Sequence, residues 1–243
     1  MRHDIILLNS HYEVSGLRYS TVLFDLDGTL LDFSRAEQTA FFMSLEKYRI
    51  PCKDGLYEQY SEINDSLWKQ FEKGEITKLQ IGETRFKILF EKNGIDADGT
   101  EFNKTYLSLI SKQAFLYDGA MELCERLKSK GLKLYAVTNG TQFVQQSRLK
   151  ISGLDKIFIR TFVSEDVGYQ KPAKEYFDFV FDSIEEKDKS RILIVGDSLT
   201  SDIKGGINAG IDTCYFGDSS LEGITPVFAV TNYEEMEKII SGL

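Results

Sequence analysis

Short runs of apolar residues recur along this chain, and most of them end in a polar turn. The runs that we interpret as strands are Thr21–Phe24, Leu132–Val137, Ile157–Val163, Ile192–Val195 and Thr213–Phe216. Short runs without polar alternation are typical of strands that are buried on both faces of a parallel sheet. The pattern therefore predicts a parallel sheet whose two faces are covered.

Helical periodicity fills the segments between these strands. Ala120–Lys130 has apolar residues on one face, a lysine-rich end and Gly131 as a stop signal. Phe143–Lys150 and Lys174–Phe181 continue the alternation of strand and helix. Such alternation with short links predicts an α/β fold with a doubly wound, Rossmann-like parallel sheet. In sheets of this kind, ligands bind beyond the carboxyl ends of the strands.

One stretch of the chain breaks this alternation directly after the first strand. Between residues 34 and 114 we predict helices only, at Arg35–Tyr48, Leu56–Glu72, Thr77–Asn93 and Glu101–Gln113. This insertion reads as a helical bundle or cap placed over the site at the strand ends. The predicted catalytic core then comprises residues 21–33 and 115–243. Residues 1–20 form a leader, either a disordered tail or an extra edge strand.

Composition and charge narrow the possible functions. The 243 residues carry 29 basic and 38 acidic side chains, and the net charge of −9 disfavours a broad surface for nucleic acid or anionic membrane. His3 and His11 are the only histidines, so the rest of the chain cannot supply a Ser-His-Asp triad or a histidine zinc site. Cys52, Cys124 and Cys214 form no CxxC pair, which favours a reducing cytoplasm. We see no signal peptide or membrane span.

Acidic residues gather at two of the predicted strand ends. Asp25 and Asp27 follow the first strand, and Gly28 lets the backbone approach a ligand closely. Two carboxylates about 4 Å apart repel by about 4 kcal/mol at an effective dielectric of 20, so a cation or a shared proton is expected between them. Asp197 and Asp202 follow the fourth strand, and ligation by oxygen alone favours Mg²⁺. The alternatives are a solvated turn at Asp25 and Asp27, and helix capping by Asp197 or Ser198.

Two further polar turns suit an anion. Thr138, Asn139 and Gly140 precede a predicted helix, where a hydroxyl and backbone N–H groups can bind a phosphate. Lys171 lies in a polar loop and can neutralise charge on a transferring phosphoryl group. Taken singly, these are an ordinary turn and a surface charge. Their common position at strand ends favours one shared site.

The four groups of residues, in chain order, resemble the motifs of the haloacid dehalogenase-like phosphohydrolase superfamily. The resemblance is carried by DLDGTL at Asp25–Leu30, Thr138 in VTNG, Lys171 in QKP, and Asp197 and Asp202 in GDSLTSD, and it spans Thr21 to the C-terminus. The insertion resembles the C1-type cap of that superfamily. Asn64–Phe86, Thr138–Leu154 and Ser164–Pro172 are similar to its pyrimidine 5′-nucleotidase branch, although the usual Phe after Asn-Gly is displaced to Phe143.

The resemblance implies a role for each motif residue. Asp25 would be the nucleophile that forms an aspartyl-phosphate, and Asp27 would protonate the leaving group and then activate water. The Asp25 carboxylate, the Asp27 carbonyl and Asp197 would hold Mg²⁺, supported by Asp202, Gly28 and Thr29. The phosphoryl oxygens would be bound by Thr138, Asn139 and Lys171, and Lys171 would also act in catalysis.

The implied function is Mg²⁺-dependent hydrolysis of small phosphomonoesters. The finer resemblance points to nucleoside 5′-monophosphates, with dUMP, UMP and dTMP as candidates and with selectivity in the cap. Asp27 argues against a dehalogenase, because a halide leaves without a proton. A sugar phosphatase, a phosphoglycolate phosphatase, a β-phosphoglucomutase and a catalytically silent phosphate- or partner-binding module remain alternatives. We interpret the cap aromatics Trp68, Phe71, Phe86 and Phe90 as core residues; the oligomeric state is left open.

Overall fold

Six parallel strands form one sheet in the computed structural model, which describes residues 17–218 and 223–242. The strands are β1 (Thr21–Phe24), β2 (Lys133–Thr138), β3 (Arg160–Val163), β4 (Ile192–Gly196), β5 (Asp212–Phe216) and β6 (Phe228–Val230). Their order across the sheet is β3-β2-β1-β4-β5-β6, and every neighbouring pair is parallel. The predicted doubly wound α/β fold is confirmed.

The position of β1 explains why its sequence is apolar throughout. It pairs with β2 on one side and β4 on the other, and all four of its residues are buried. Val22 and Phe24 belong to one hydrophobic cluster, whereas Leu23 belongs to the cluster on the opposite face. Since both faces are covered, no position of this strand favours a polar side chain.

Ten helices within the described residues surround or extend this sheet. They are α1 (Phe33–Tyr48), α2 (Leu56–Glu72), α3 (Lys78–Asn93), α4 (Gly99–Ile110), α5 (Ala120–Ser129), α6 (Gln142–Ser152), α7 (Ser164–Val167), α8 (Lys174–Ser183), α9 (Lys204–Ala209) and α10 (Tyr233–Ser241). Residues of α5, α6 and α10 pack on one face of the sheet, and residues of α8 and α9 pack on the other. None of the helices in the described ranges is both long and apolar enough to cross a membrane.

Helices α1 to α4 lie between β1 and α5 in the chain and share a hydrophobic core of their own. We call these four helices the cap helices. Polar residues set where they begin: the Asp32 side chain caps α1, Thr77 and Gln80 form a capping box at α3, and Asp98 caps α4. Inside, the ring of Tyr60 stacks on Phe86 at 5.1 Å between centroids.

Two linkers connect the cap helices to the rest of the chain, and they pair with each other. The backbone N–H of Asp32 donates to the carbonyl of Phe115 at 2.9 Å, and that of Tyr117 donates to the carbonyl of Leu30 at 3.1 Å. Leu31 and Leu116 also form an antiparallel bridge. The entry and exit of the cap helices are therefore side by side.

Strand β6 and helix α10 lie beyond the elements that the sequence predicted. β6 has only three residues at the sheet edge and carries a weak pattern, whereas α10 has an Asn232 cap and apolar Met236 and Ile240 on its buried face. At the other terminus, residues 1–16 of the predicted leader lie outside the described residues. Tyr19 is fully buried and its hydroxyl donates to Asp212 at 2.5 Å, so the folded chain already includes this residue.

Candidate active site

The carboxyl edge of the sheet brings the predicted site residues together. Asp25 directly follows β1, Thr138 ends β2, and Asp197 directly follows β4. Lys171 reaches the same edge from the loop between α7 and α8. Since neighbouring parallel strands end at the same side, residues more than a hundred positions apart meet here.

Lys171 is the central cation of this edge. It is 1% exposed, and its Nζ atom donates to Oδ1 of Asp25 at 2.6 Å, to Oδ1 of Asp202 at 2.6 Å and to the carbonyl of Val137 at 2.9 Å. Burial works against the charge of Lys171, but the carboxylates of Asp202 and Asp25 outweigh it and raise the pKa of the ammonium above its usual value. All three donors of this ammonium group are thus satisfied.

Asp25, Asp197 and Asp202 form a carboxylate cluster in which one oxygen of each lies within 4.8 Å of the others. Asp202 also accepts a hydrogen bond from the Ser198 backbone at 3.2 Å. Burial raises the pKa of Asp25, and the charges of Asp202 and Asp197 add to this while Lys171 opposes it. Asp197 lines the cavity, and its removal from bulk water together with the charge of Asp202 raises its pKa to about 7.

Two glycines make room for these carboxylates. A Cβ atom on Gly28 would lie 2.1 Å from Oδ2 of Asp197, and Gly28 also has a φ of +82°, which glycine adopts most readily. A Cβ atom on Gly196 would lie 2.2 Å from Oδ2 of Asp202. Thr29 is buried next to Gly28, and its carbonyl accepts a hydrogen bond from Tyr233 at 2.6 Å. Gly28 and Thr29 therefore shape this edge through their backbone, and their support of a bound Mg²⁺ stays a prediction.

Asp27 is held by two residues that the sequence analysis did not single out. Gln145 donates from Nε2 to Oδ2 of Asp27 at 2.8 Å and to the Thr138 hydroxyl at 2.9 Å. Arg148, which is fully buried, donates from Nη1 to Oδ1 of Asp27. Gln145 and Arg148 lie three positions apart on α6, so their spacing on the helix that follows Thr138 was the available signal.

Arg148 also contacts the start of α1 and the exit linker of the cap helices. Its Nε atom donates to the carbonyl of Gln113 at 2.8 Å, and its guanidinium lies 5.7 Å from the ring centroid of Phe33. Phe33 is the first residue of α1, and Gln113 lies in the exit linker. The contact that orients Asp27 is therefore anchored where the cap helices join the sheet.

The side chain of Asn139 fixes the Lys171 loop. Its Nδ2 atom donates to the carbonyl of Lys171 at 2.9 Å, and its Oδ1 atom accepts from the N–H of Lys171 at the same distance. Both polar atoms of the side chain are engaged there. Any contact of Asn139 with a phosphoryl oxygen is consequently left to its main chain.

A cavity of about 220 Å³ lies between the sheet edge and the cap helices. Its sheet side is lined by all seven predicted acidic, phosphate-binding and lysine residues: Asp25, Asp27, Thr138, Asn139, Lys171, Asp197 and Asp202. Its cap side includes Trp68, Ile81, Arg85, Tyr106 and Ile110. Phe71, Phe86 and Phe90 are buried in the cap core as predicted, whereas Trp68 lines the cavity.

Polar contacts join the cap helices to loops at the sheet edge beside the cavity. Lys78 of α3 donates to the carbonyl of Gly140 at 2.8 Å and to the hydroxyl of Ser164 at 2.9 Å. Thr200 donates to Glu72 of α2 at 2.6 Å. These contacts hold the cap helices against the sheet edge.

The donor set of the cluster fits a hard divalent cation. Three carboxylates face one another with one lysine between them, and within the described ranges Asp197 forms no salt bridge. The carboxylate of Asp27 is outside the cluster because Arg148 and Gln145 hold it, which leaves its backbone carbonyl as the possible ligand. Carboxylate and carbonyl oxygens, without thiolate or imidazole, are the ligands that Mg²⁺ prefers.

Comparison with known proteins gives consistent matches over nearly the whole chain. A family model described as haloacid dehalogenase-like hydrolase matches residues 19–210. The HAD-hydrolase YfnB of Bacillus subtilis is 41% identical over 227 residues, which are 92% of this chain and 96% of that protein. A crystal structure of YfnB bound to magnesium has a TM-score of 0.87 and covers 92% of this chain and 99% of its own.

Two similar proteins carry a more specific name. The pyrimidine 5′-nucleotidase PynA of Streptococcus pneumoniae is 36% identical over 221 residues, covering 90% of this chain and 93% of that protein. The pyrimidine 5′-nucleotidase YjjG of Escherichia coli is 30% identical over 231 residues, covering 92% of this chain and 99% of that protein.

Proposed function

Because this chain belongs to the haloacid dehalogenase-like hydrolase family, we propose that it is a Mg²⁺-dependent phosphatase of pyrimidine nucleoside 5′-monophosphates. The observation that carries the proposal is the buried contact of Lys171 with Asp25 and Asp202 on the floor of the cavity. A carboxylate held beside a fixed cation, in a cavity that the cap helices line on the other side, suits attack on a phosphoryl group.

The proposed reaction begins with Asp25. One of its oxygens attacks phosphorus, the bond from phosphorus to the leaving oxygen breaks, and an aspartyl-phosphate remains. Asp27 gives a proton to the leaving oxygen and then takes one from the water that hydrolyses the aspartyl-phosphate. Inorganic phosphate is released and Asp25 is restored.

The hydrogen bonds of Asp27 indicate which of its two proton-transfer steps the observed arrangement suits. Each of its two oxygens accepts a hydrogen bond, one from Arg148 and one from Gln145. That arrangement suits the step in which Asp27 accepts a proton. For the preceding step, one of these contacts is exchanged so that the protonated oxygen can donate to the leaving group.

Lys171 and Thr138 are proposed to bind the phosphoryl oxygens. Lys171 already uses its donors on Asp25, Asp202 and a carbonyl, so the bond to Asp25 is the one that a phosphoryl oxygen replaces when Asp25 becomes esterified. Mg²⁺ would be held by the Asp25 carboxylate, the Asp27 carbonyl and Asp197, where it supplies positive charge beside the phosphoryl group.

Two observations support a pyrimidine nucleotide as the substrate. Two relatives, each of which this chain matches over more than nine-tenths of the relative's length, are named pyrimidine 5′-nucleotidases. The cap side of the cavity presents flat and apolar side chains, including Trp68, Ile81 and Ile110, which suit a base more than a bare sugar. The cytoplasmic setting stays a prediction that rests on the three cysteines, none of them in a disulfide.

The test is a comparison of initial rates at one Mg²⁺ concentration. The panel contains UMP, dUMP and dTMP together with ribose 5-phosphate, β-glucose 1-phosphate and phosphoglycolate. We expect kcat/KM to be highest for the three nucleotides. A clear preference for β-glucose 1-phosphate or phosphoglycolate contradicts the nucleotide assignment, and absence of phosphate release from every compound contradicts the phosphatase assignment.

A further inference from the structure

Arg85 is a buried guanidinium on the cap side of the cavity. It belongs to α3, is 5% exposed and lines the cavity that contains Asp25. Its Nε atom donates to Oδ1 of Asn103 at 2.8 Å, and its Nη1 atom donates to Oδ1 of Asn64 at 3.1 Å. These amides come from α4 and α2, so three helices of the cap fix the plane of one guanidinium.

The charge that balances Arg85 lies on the side away from the cavity. Asn64 links Arg85 to Glu37, because its Oδ1 atom accepts from Arg85 and its Nδ2 atom donates to Oε1 of Glu37 at 2.9 Å. Glu37 is buried in the cap, and it also accepts hydrogen bonds from Tyr60 at 3.1 Å and from Tyr57 at 3.3 Å. Arg85 and Glu37 thus form a pair of opposite charges bridged by one amide.

One nitrogen of Arg85 is left over by this arrangement. Within the described residues Nη2 has no hydrogen-bond partner, whereas Nε and Nη1 each have one. Nη2 of Arg148 is fully enclosed and has no partner among the described residues, whereas Nη2 of Arg85 is not fully enclosed. The Nη2 atom of Arg85 is therefore accessible, on a residue that faces the cavity.

A fixed guanidinium is a costly choice for packing alone. Burial of a charge is unfavourable, and an apolar side chain of the same length fills the space without that cost. The ring of Tyr106 lies 4.6 Å from the guanidinium carbon and lines the same cavity wall. A flat donor group beside an aromatic ring is a suitable surface for a planar ligand with an acceptor at its edge.

We propose that Arg85 determines specificity by donating from Nη2 to a ring carbonyl oxygen of the leaving group, with Tyr106 and Trp68 on the apolar walls beside that ring. This inference rests on the proposed nucleotidase function and assigns the part of the substrate that the sheet edge does not contact. A neutral acceptor fits better than a second anion, because Glu37 already balances the charge of Arg85. Uracil and thymine rings carry carbonyl oxygens of this kind.

The experiment compares two substrates that differ at C1 of the ribose, where UMP carries the base and ribose 5-phosphate carries a hydroxyl group. UMP and ribose 5-phosphate share the phosphate and the ribose carbons, but ribose 5-phosphate has no ring carbonyl. The variants are Arg85→Met and the double variant Arg85→Met/Glu37→Gln, which removes both buried charges together. Lys87→Met, at an exposed position on the same helix, is the matched control. Assays at about pH 8 keep the carboxyl group of Glu37 ionised in the parent enzyme.

We expect both Arg85 variants to lose about tenfold or more in kcat/KM for UMP, the loss typical of one hydrogen bond to a charged donor. Ribose 5-phosphate should change by less than about twofold, which also shows that the site is folded. An equal loss for both substrates in the double variant overturns the proposal in favour of a structural role. Unchanged UMP turnover overturns it as well.

Two other results separate this inference from the proposed function. If the parent enzyme hydrolyses UMP no better than ribose 5-phosphate, the proposed nucleotidase function is wrong. The proposed hydrogen bond from Arg85 to the base is then wrong as well. If the parent prefers UMP and the Arg85 variants keep that preference, the function stands and only the assignment to Arg85 is overturned. A preference for fructose 1,6-bisphosphate that Arg85→Met abolishes assigns the guanidinium to a second anion instead.

Discussion

The ammonium group of Lys171 lies 2.6 Å from a carboxylate oxygen of Asp25, with both side chains removed from bulk water. This contact fixes the position of the proposed nucleophile before a substrate arrives. Substitution of Asp25 can therefore change turnover and stability to different extents. The chemistry depends on the Asp25 oxygen, whereas Lys171 keeps a second carboxylate partner in Asp202.

The first prediction follows from that difference. Asp25→Asn should abolish turnover, because an amide cannot form the acyl phosphate. Stability should change little, since Lys171 retains Asp202 and one like charge leaves the cluster. Phosphate release measures turnover, and thermal unfolding followed by circular dichroism measures stability. Asp182→Asn, at an exposed position, is the control. Parent-like activity of pure Asp25→Asn protein contradicts the assignment.

The second prediction concerns the cation. EDTA should abolish activity and added Mg²⁺ should restore it. Asp197→Asn should raise the Mg²⁺ concentration for half-maximal activity by about tenfold or more, because Asp197 has no salt bridge in the described ranges and is free to act as a ligand. Titration of activity with Mg²⁺ measures this shift. Full turnover in exhaustively chelated enzyme rules out the metal requirement.

The third prediction concerns Arg148 as a positioning residue for Asp27. Arg148→Lys should lower kcat/KM for UMP by about tenfold or more, because the alkoxide of UMP needs a correctly oriented proton donor. p-Nitrophenyl phosphate should be affected far less, because its leaving group departs without a proton. Since both substrates are assayed on the same protein, an equal loss for the two indicates general damage to the site and contradicts the positioning role.

The fourth prediction concerns the buried carboxyl group of Glu37. Burial raises its pKa from 4.5 to about 7, against the opposing effects of the Tyr60 hydrogen bond and the charge of Arg85. The folded state therefore holds the proton longer than the unfolded state as the pH rises. Stability is lost between these two pKa values and the loss levels off above about pH 7, reaching about 3 kcal/mol. The groups that face this carboxyl are Tyr57, Tyr60, Asp65, Arg85 and Tyr106.

Glu37→Gln removes this titration, and urea unfolding at two pH values measures the consequence. The free energy of unfolding of the variant minus that of the parent should increase between about pH 5 and about pH 8, because only the parent loses stability through this group. The difference between the two proteins cancels the titration of all other groups. An identical difference at both pH values contradicts a raised pKa for Glu37.

The sequence predicted those parts of the molecule that depend on local pattern. β1 and α2 have the predicted bounds, and Asp25, Thr138, Lys171 and Asp197 meet at the predicted edge. Strand ends and turn residues are local signals, and parallel pairing then brings them together. The fold class followed from the same alternation.

The contacts between side chains could not be predicted in this way. Arg148 is 121 positions from Asp27, and nothing near either residue specifies that they touch. Arg85 appeared only as one charged position within a helical pattern. Asn139 was predicted as a phosphate ligand from its turn, yet its side chain pairs with the backbone of Lys171, 32 positions away. Such pairs depend on how helices pack on the finished sheet.

The paired linkers of the cap helices have an evolutionary consequence. Asp32 and Phe115 are joined by a backbone hydrogen bond of 2.9 Å, so the segment between them leaves and re-enters the sheet at one point. A segment attached in this manner can be exchanged for another of different length with little entropic cost to the remaining fold. Lys171 and its two carboxylates lie wholly outside the exchanged segment. On the proposed function, in which the cap helices contact the leaving group, recombination of one contiguous stretch of gene would change the substrate and leave the residues of the chemistry unchanged.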